Sequence, residues 1–183
     1  MLTEKENIKL SKFLSLVLRH QPDLIGITLD EQGWVPVNEL KKKAATYGNP
    51  FSLVELEYVV GTNSKKRFAF SNDKRKIRAS QGHSIGIDLG YEPKMPPEIL
   101  YHGTATNYIG SILKSGLNKR KRTHIHLSVD WETAKRVGER HGKPVVFAVA
   151  AGKMNEAGHV FYLSENGVWL TETVPAAFLT VIF

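Results

Sequence analysis

The 183-residue sequence predicts an α+β protein with two lobes, and three observations support this fold class. Residues 1–80 contain three segments with the apolar spacing of amphipathic helices, followed by two short strand-like segments. Residues 81–97 are rich in glycine and proline, which is typical of a linker. Residues 98–183 contain mostly strand patterns with helical segments between them. We therefore expect lobes over residues 1–90 and 98–183.

Capping residues mark the helix starts in the first lobe. Two Ser/Thr-x-x-Glu capping boxes predict helices that begin just after them, and an asparagine between them is expected to cap a further helix. Pro22 marks the end of the first helix, just beyond His20. The caps are Thr3 with Glu6, Asn38, and Ser52 with Glu55.

A basic hairpin follows the three helices. Residues 66–70 and 75–79 are predicted as strands, joined by the turn sequence Ser71-Asn72-Asp73-Lys74. Alternation along the first strand places Phe68 and Phe70 on one face, expected in the core, and Arg67 on the other. Three helices followed by a hairpin predict a winged helix-turn-helix lobe.

The second lobe is predicted as a mixed α/β unit dominated by strands. Two helices are expected, at residues 107–115 and 131–141, the second with Asp130 as its cap. Strands are expected at residues 99–102, 124–128, 144–151, 160–163, 167–171 and 178–183.

The composition limits the compartment and the class of partner. A hydrophobic fraction of 42% excludes wholesale disorder, and no apolar run approaches the roughly 18 residues that span a bilayer, so no membrane partner is expected. The first six residues lack an apolar stretch of signal-peptide type. The absence of cysteine excludes disulfides and fits a cytoplasmic location. A net charge of +7 favours an anionic partner.

Lysine and arginine are concentrated in two clusters. The first has seven basic residues and one acid, Asp73, and the second has no acid. Such runs are often merely solvated surfaces, but two of them in a short chain favour nucleic acid. The first cluster contains Lys65, Lys66, Arg67, Lys74, Arg75, Lys76 and Arg78; the second contains Lys114, Lys119, Arg120, Lys121 and Arg122.

Three arginines and a histidine on separated elements are candidates for a phosphate site. Arg19 and His20 end the first helix, Arg67 precedes the paired phenylalanines, and Arg140 ends a later helix. Guanidiniums bind a dianionic phosphate through paired, charge-assisted hydrogen bonds. Each residue also has an ordinary interpretation, because cations at a helix end stabilise its dipole and a strand arginine often faces solvent.

Two histidine motifs occur in the second lobe. His102-Gly103-Thr104 follows a predicted strand, where glycine permits a close ligand and the neighbours offer hydrogen bonds. His124-x-His126 places two imidazoles on one strand face, but no third metal ligand lies at a recognisable spacing, so we predict no metal site. Neither glycine-rich nucleotide loop, GxGxxG or GxxxxGK[ST], is present.

Eight motifs, in order from residue 11 to about residue 171, resemble the NAD-dependent RNA 2′-phosphotransferases of the KptA-like family, which act on tRNA. Because the order is kept, the resemblance covers nearly the whole chain. The motifs are SKFLSLVLRH (11–20), GW (33–34), KKRF (65–68), QGHS (81–84), LYHGT (100–104), HIHLS (124–128), VGERHG (137–142) and NGVWL (166–170).

The resemblance implies a winged-helix RNA lobe and a C-terminal lobe of ADP-ribosyltransferase type. It also implies a two-step reaction on an RNA that bears an internal 2′-phosphate and is tRNA-like. The phosphate attacks the nicotinamide-bearing ribose carbon of NAD and expels nicotinamide, and a neighbouring ribose hydroxyl then attacks the phosphorus. The products are 2′-hydroxyl RNA and ADP-ribose 1″,2″-cyclic phosphate, so NAD is a consumed co-substrate.

The family's catalytic set falls on Arg19, His20, Arg67 and Arg140. By this resemblance the first three hold the 2′-phosphate, and Arg140 stabilises charge that develops in the second step. His20 is the member of the set that exchanges protons near neutral pH, so we assign it acid–base help in that step as a hypothesis.

The NAD-binding residues are likewise implied by the resemblance. ADP-ribosyltransferases often carry a glutamate at the third position of the cleft, where this chain has Val168. Its absence fits an acceptor that is ionised already, since a phosphate monoester is mostly dianionic at pH 7. The expected NAD-binding residues are His102, Gly103, Thr104, His126 and Ser128.

The sequence is also compatible with two other functions. One is a non-catalytic winged-helix regulator of nucleic acid with a ligand-sensing second lobe. The other is a one-step ADP-ribosyltransferase that modifies a protein or a nucleic-acid end and stops after the first transfer.

Overall fold

The computed structural model describes residues 2–182, so Met1 and the last residue of the final predicted strand, Phe183, lie outside the described residues. The chain divides into two compact units, one ending at Gly90 and the other beginning at Tyr91. Helices and small antiparallel sheets make up the chain, which confirms the α+β class.

No helix within residues 2–182 combines the length and the apolar character needed to cross a membrane.

Three helices form the first part of the N-terminal unit: α1 (Glu4–Arg19), α2 (Val37–Thr46) and α3 (Leu53–Thr62). Both predicted capping boxes are present, at Thr3 and at Ser52. The predicted cap of α2 is wrong, because Asn38 lies inside the helix and Pro36 occupies the cap. The proline's restricted φ of −60° leads the extended chain directly into the helix, which begins two residues earlier than an Asn38 cap would place it.

A three-stranded antiparallel sheet completes this unit: β1 (Val35–Pro36), β2 (Phe68–Phe70) and β3 (Lys76–Ala79), in the order β1-β3-β2. The predicted hairpin is therefore confirmed, with Phe68 opposite Ala79. Phe68 is 3% exposed and Phe70 packs against the same core, as alternation predicted. Arg67 lies just before β2, one residue outside the strand.

The hydrophobic core of the N-terminal unit joins all three helices to the sheet. It includes Leu14, Val17, Leu18, Leu40, Leu56, Val59, Phe68 and Ile77. Three of the α1 members fall at helical spacing near its C-terminal end, so the core fixes the rotation of α1 where its last residues emerge.

Within residues 91–182, the C-terminal unit contains three small antiparallel sheets and three α-helices. The strand orders of the three sheets are β11-β7-β4, β6-β9-β8 and β10-β5. The two-residue strands β5 and β10 and the short α6 had no clear sequence pattern. The elements are β4 (Leu100–Ala105), α4 (Ile109–Ser115), β5 (Leu117–Asn118), β6 (Ile125–Leu127), α5 (Trp131–Gly138), β7 (Pro144–Val149), α6 (Ala151–Glu156), β8 (Tyr162–Leu163), β9 (Trp169–Thr171), β10 (Thr173–Val174) and β11 (Leu179–Ile182).

Two reciprocal backbone hydrogen bonds connect the three-stranded sheets of this unit. The amide of Tyr101 in β4 donates to the carbonyl of Ser128, and the amide of Ser128 donates back, each at 2.8 Å. This link sets the histidine of β4 beside the end of β6, with Asp130 then capping α5 through the amide of Thr133.

The predicted linker, residues 81–97, forms backbone hydrogen bonds in both units: its first part with the N-terminal unit and its last part with the C-terminal unit. The amide of Ser84 donates to the carbonyl of Arg19, and that of Asp88 donates to the carbonyl of Glu31. The amide of Lys94 donates to the carbonyl of Phe161 in the C-terminal unit.

Helix α5 packs on β4 at a distance that only glycine permits. A Cβ on Gly103 would lie 1.6 Å from the carbonyl oxygen of Ala134, and one on Gly138 would lie 2.7 Å from the carbonyl oxygen of Thr104. Because both obstacles are backbone atoms, neither contact is relieved by a side-chain rotation. Each glycine is thus required for the packing of this helix.

We expect Gly103→Ala to destabilise the protein by about 3 kcal/mol or more, in the range of overpacked cores, because the helix must move away from the strand. Gly110→Ala is the matched control, since a Cβ there in α4 meets nothing within 4 Å and alanine favours the helix by roughly 0.5–1 kcal/mol. Thermal and urea unfolding measure both. Equal midpoints for the two variants would contradict the packing argument.

Candidate phosphate and dinucleotide sites

The end of α1 presents the first two candidate residues. Arg19 is the last residue of the helix and is half-buried, whereas His20 is the exposed C-cap residue. The amide of His20 donates to the carbonyl of Leu16 at 3.0 Å, so the backbone of the pair is held by the helix. The cationic side chains also lie at the negative end of the helix dipole, a favourable position.

The backbone carbonyl of Arg67 holds the Arg19 guanidinium beside the start of β2. It accepts a hydrogen bond from Nη2 of Arg19 at 3.3 Å and another from the amide of Ser80 at 2.8 Å. The Arg19 guanidinium lies 6.0 Å from the ring centre of Phe68. Asn63, at the end of α3, accepts from the Arg67 guanidinium at 3.5 Å. The structure therefore brings Arg19, His20 and Arg67 together, in the N-terminal unit.

Two residues of the Gln81-Gly82-His83-Ser84 segment contact this cluster, and sequence reasoning gave them no role. The hydroxyl of Ser84 lies 2.8 Å from Nδ1 of His20, and its amide donates to the carbonyl of Arg19 at 3.0 Å. The one available signal was that the segment forms one of the eight family motifs.

His83 is a fully buried imidazole beside this cluster, with 0% exposure. Neither of its ring nitrogens hydrogen-bonds to any residue between 2 and 182. Desolvation by burial, followed by the nearby charges of Arg19, His20 and Arg78, lowers the pKa of His83 to about 4. The ring is consequently neutral at physiological pH and adds no further charge to the cluster.

The free energy of unfolding should fall as the pH drops from 6.5 to 4. The unfolded chain takes up a proton on His83 below its ordinary pKa of 6.5, whereas the folded chain does so only near 4, so the stabilisation is complete above 6.5 and lost below it. The difference between the two pKa values corresponds to roughly 3 kcal/mol in the free energy of unfolding. Urea unfolding across this range measures it.

His83→Leu is the matched variant for this measurement, because leucine fills the site without titrating. We expect a weaker pH dependence in the variant, with the remainder supplied in part by His102, whose pKa burial also lowers. A pH profile identical to that of the unaltered protein would rule out His83 as the source.

The basic hairpin is less cationic than its sequence implied. Lys74 pairs with Glu57 at 3.0 Å and Lys76 pairs with Asp30 at 3.2 Å, so acids from α3 and from the loop before β1 offset the charge. Arg78 is 9% exposed and lies 4.4 Å from the ring centre of Trp34. Its position indicates a structural cation–π contact and not a surface for phosphate.

In the C-terminal unit, His102 has a defined tautomer. Its Nδ1 lies 3.1 Å from the carbonyl oxygen of His126. Because a carbonyl only accepts, Nδ1 carries the hydrogen, and because desolvation lowers the pKa of the ring, Nε2 is left as an acceptor. His102 can therefore accept a hydrogen bond from a ligand hydroxyl.

His126 has the opposite tautomer. Nη1 of Arg122 lies 3.2 Å from its Nδ1, and a guanidinium only donates, so Nδ1 accepts and Nε2 carries the hydrogen. The two neighbouring imidazoles thus offer one acceptor and one donor. Sequence reasoning placed Arg122 in a basic cluster and missed this contact.

The remaining predicted site residues differ in how far they are exposed to solvent. Ser128 is half-buried, next to the sheet link with Tyr101. Thr104 is 8% exposed, and the packing of α5 against Gly103 is one reason why residue 103 has no side chain. Arg140 is exposed in the 3₁₀ turn Glu139–His141 that follows α5.

The two histidines of the His124-x-His126 motif contact protein side chains. The ring of His124 packs edge-on against Tyr162, with centroids 5.5 Å apart, while His126 accepts from Arg122. Within residues 2–182, no three histidine, aspartate or glutamate side chains form a group able to hold a metal ion.

Arg19 and His20 at the end of α1, together with Arg67, whose backbone carbonyl contacts Arg19, form a donor set suited to a phosphate group. The chain matches the family described as "RNA 2'-phosphotransferase, Tpt1 / KptA family" over residues 5–173. Since this match covers most of its length, the protein belongs to the RNA 2′-phosphotransferase family. It is therefore a transferase with an RNA substrate.

Similar proteins agree with this membership. The chain is 54% identical over 172 residues to a "Probable RNA 2'-phosphotransferase" of Hahella chejuensis, covering 94% of this chain and 92% of that protein. Proteins with the same name from Rhodopirellula baltica and Flavobacterium johnsoniae are 51% and 53% identical over 181 and 176 residues. These two matches cover 98% and 95% of this chain, and 98% and 97% of the respective relatives.

Proposed function

We propose that this protein removes an internal 2′-phosphate from RNA by transferring it to NAD. The observation that carries the proposal is the cluster of Arg19, His20 and Arg67, joined through the Arg67 carbonyl. These are the residues that the family resemblance assigns to the 2′-phosphate. A tRNA-like molecule with a 2′-phosphate at an internal position is the proposed substrate. The cytoplasmic location stays a prediction.

We also infer the class of each unit. Three helices followed by the β2–β3 hairpin support a winged-helix RNA-binding lobe for the N-terminal unit. Two linked three-stranded sheets, with α5 packed on β4, support an ADP-ribosyltransferase-like lobe for the C-terminal unit.

The two imidazoles of the C-terminal unit fit NAD as a ligand. Its ribose hydroxyls can donate to Nε2 of His102, and His126, whose carbonyl fixes the His102 ring, is proposed to line the same site. Ser128 offers a further hydroxyl. NAD, when bound, supplies a ribose carbon with nicotinamide as its leaving group.

In the first step, Arg19 and Arg67 orient the RNA phosphate as the nucleophile. A phosphate oxygen forms a bond to the ribose carbon as the carbon–nicotinamide bond breaks, leaving ADP-ribose on the phosphate and neutral nicotinamide in solution. The dianion needs no general base, so positioning supplies the rate enhancement. This role fits the absence of a glutamate at Val168.

In the second step, the phosphorus–oxygen bond to the RNA breaks as the adjacent ribose hydroxyl attacks. His20 is proposed to transfer a proton between the attacking hydroxyl and the departing 2′-oxygen, which becomes the RNA 2′-hydroxyl. Arg140 is proposed to stabilise the negative charge that develops on the phosphoryl oxygens. The other product is ADP-ribose 1″,2″-cyclic phosphate.

A synthetic RNA with one internal 2′-phosphate, incubated with and without NAD, tests the function. We expect loss of the phosphate and release of nicotinamide only when NAD is present, and no nicotinamide release with a matched RNA that lacks the phosphate. Binding without nicotinamide release would favour a nucleic-acid regulator. ADP-ribose that stays attached to its acceptor would favour a one-step ADP-ribosyltransferase.

Arg140→Ala should separate the two steps. Loss of one charge-stabilising donor slows a reaction about 100-fold, so ADP-ribosylated RNA should accumulate while nicotinamide release continues. Arg136→Ala is the matched control, because this exposed arginine on α5 donates only weakly, at 3.4 Å, to Thr133. Gel separation of radiolabelled RNA species measures the intermediate. Equal accumulation in both variants would exclude a specific role for Arg140.

A further inference from the structure

We propose that Ser84 is a positioning residue whose hydroxyl fixes the orientation of the His20 imidazole. The inference rests on the function proposed above for His20, and adds a residue to which the resemblance gave no role. Ser84 does not need to touch the substrate, since it acts through the histidine.

The Ser84 hydroxyl is a polar contact of the His20 ring. The backbone of His20 is fixed at the end of α1 by the hydrogen bond to Leu16, but its side chain is exposed, so close packing does not define the ring. The Ser84 hydroxyl lies 2.8 Å from Nδ1, a normal distance for a hydrogen bond. Fixing Nδ1 also fixes the direction in which Nε2 points.

Ser84 is itself held in place by both its backbone and the residue before it. Its amide donates to the carbonyl of Arg19, the neighbour of His20 along the chain. His83 is fully buried, and its Nε2 lies 3.4 Å from the position that a Cβ on Gly33 would occupy. A buried anchor and a backbone hydrogen bond therefore set the serine against the same two residues that end α1.

The direction of this hydrogen bond is coupled to the tautomer of His20. A hydroxyl that donates to Nδ1 favours the hydrogen on Nε2, and a hydroxyl that accepts favours it on Nδ1. Either arrangement gives Nε2 a single role, as donor or as acceptor. Without the hydroxyl, this constraint on the tautomer and on the ring is lost, and a smaller fraction of the molecules is ready for proton transfer.

Ser84→Ala isolates this interaction, because alanine keeps the backbone amide that donates to Arg19 and removes only the hydroxyl. Ser84→Thr keeps the hydroxyl. Thr46→Ala is the matched control, since its exposed hydroxyl bonds within α2, to the carbonyl of Lys42. Two readouts are used: kcat and KM for phosphate removal, and the ¹⁵N chemical shifts of the His20 ring nitrogens, which report the tautomer.

We expect Ser84→Ala to lower kcat about tenfold with little change in KM, as loss of one hydrogen bond worth about 1.4 kcal/mol predicts. Ser84→Thr and Thr46→Ala should stay within about twofold of the unaltered protein. The ¹⁵N shifts should move toward a mixture of tautomers in Ser84→Ala alone. An unchanged kcat in Ser84→Ala, or unchanged His20 shifts, would overturn the proposal.

The two readouts separate this inference from the proposed function. If the unaltered protein removes no phosphate, the function fails, and the ¹⁵N shifts still decide whether Ser84 orients His20. If the protein is active and the shifts do not respond to Ser84→Ala, the function stands and the positioning role fails.

Discussion

A single backbone carbonyl organises the candidate phosphate site. The oxygen of Arg67 accepts from the Arg19 guanidinium and from the Ser80 amide, so the end of α1, the start of β2 and the segment after β3 meet at one atom. This junction holds the Arg19 guanidinium against the backbone of Arg67, next to the residue that the resemblance pairs with it. The buried His83 stays neutral, so it completes the packing beside this site without adding a further positive charge.

The sequence predicted the fold where local chemistry decides it. Capping boxes at Thr3 and Ser52 located two helices, and alternation placed Phe68 and Phe70 correctly. The prediction from sequence failed where a helix or strand depends on residues outside its own segment. The two-residue strands β5 and β10 exist because they pair with each other, and Pro36 displaced Asn38 as a cap because β1 leads directly into α2.

For the candidate site as well, the sequence predicted the residues but not the contacts that hold them. Arg19, His20 and Arg67 were found from their motifs and do lie together, but their supporting contacts through Asn63 and Ser84 have no local signature. Gly103 was assigned to a ligand because glycine permits close approach, and the structure identifies the approaching group as the backbone of Ala134. The tautomers of His102 and His126 likewise depend on partners that are not their sequence neighbours.

The ion pairs of the hairpin bear on how the protein responds to ionic strength. Each phosphate contact made by a lysine or arginine releases counterions and steepens the dependence of RNA affinity on salt. Lys74 and Lys76 already have acidic neighbours, and Arg78 covers Trp34. A basic residue that is already paired releases fewer counterions from RNA. The affinity for RNA should therefore decline with added salt more gently than the seven basic residues of the first cluster imply.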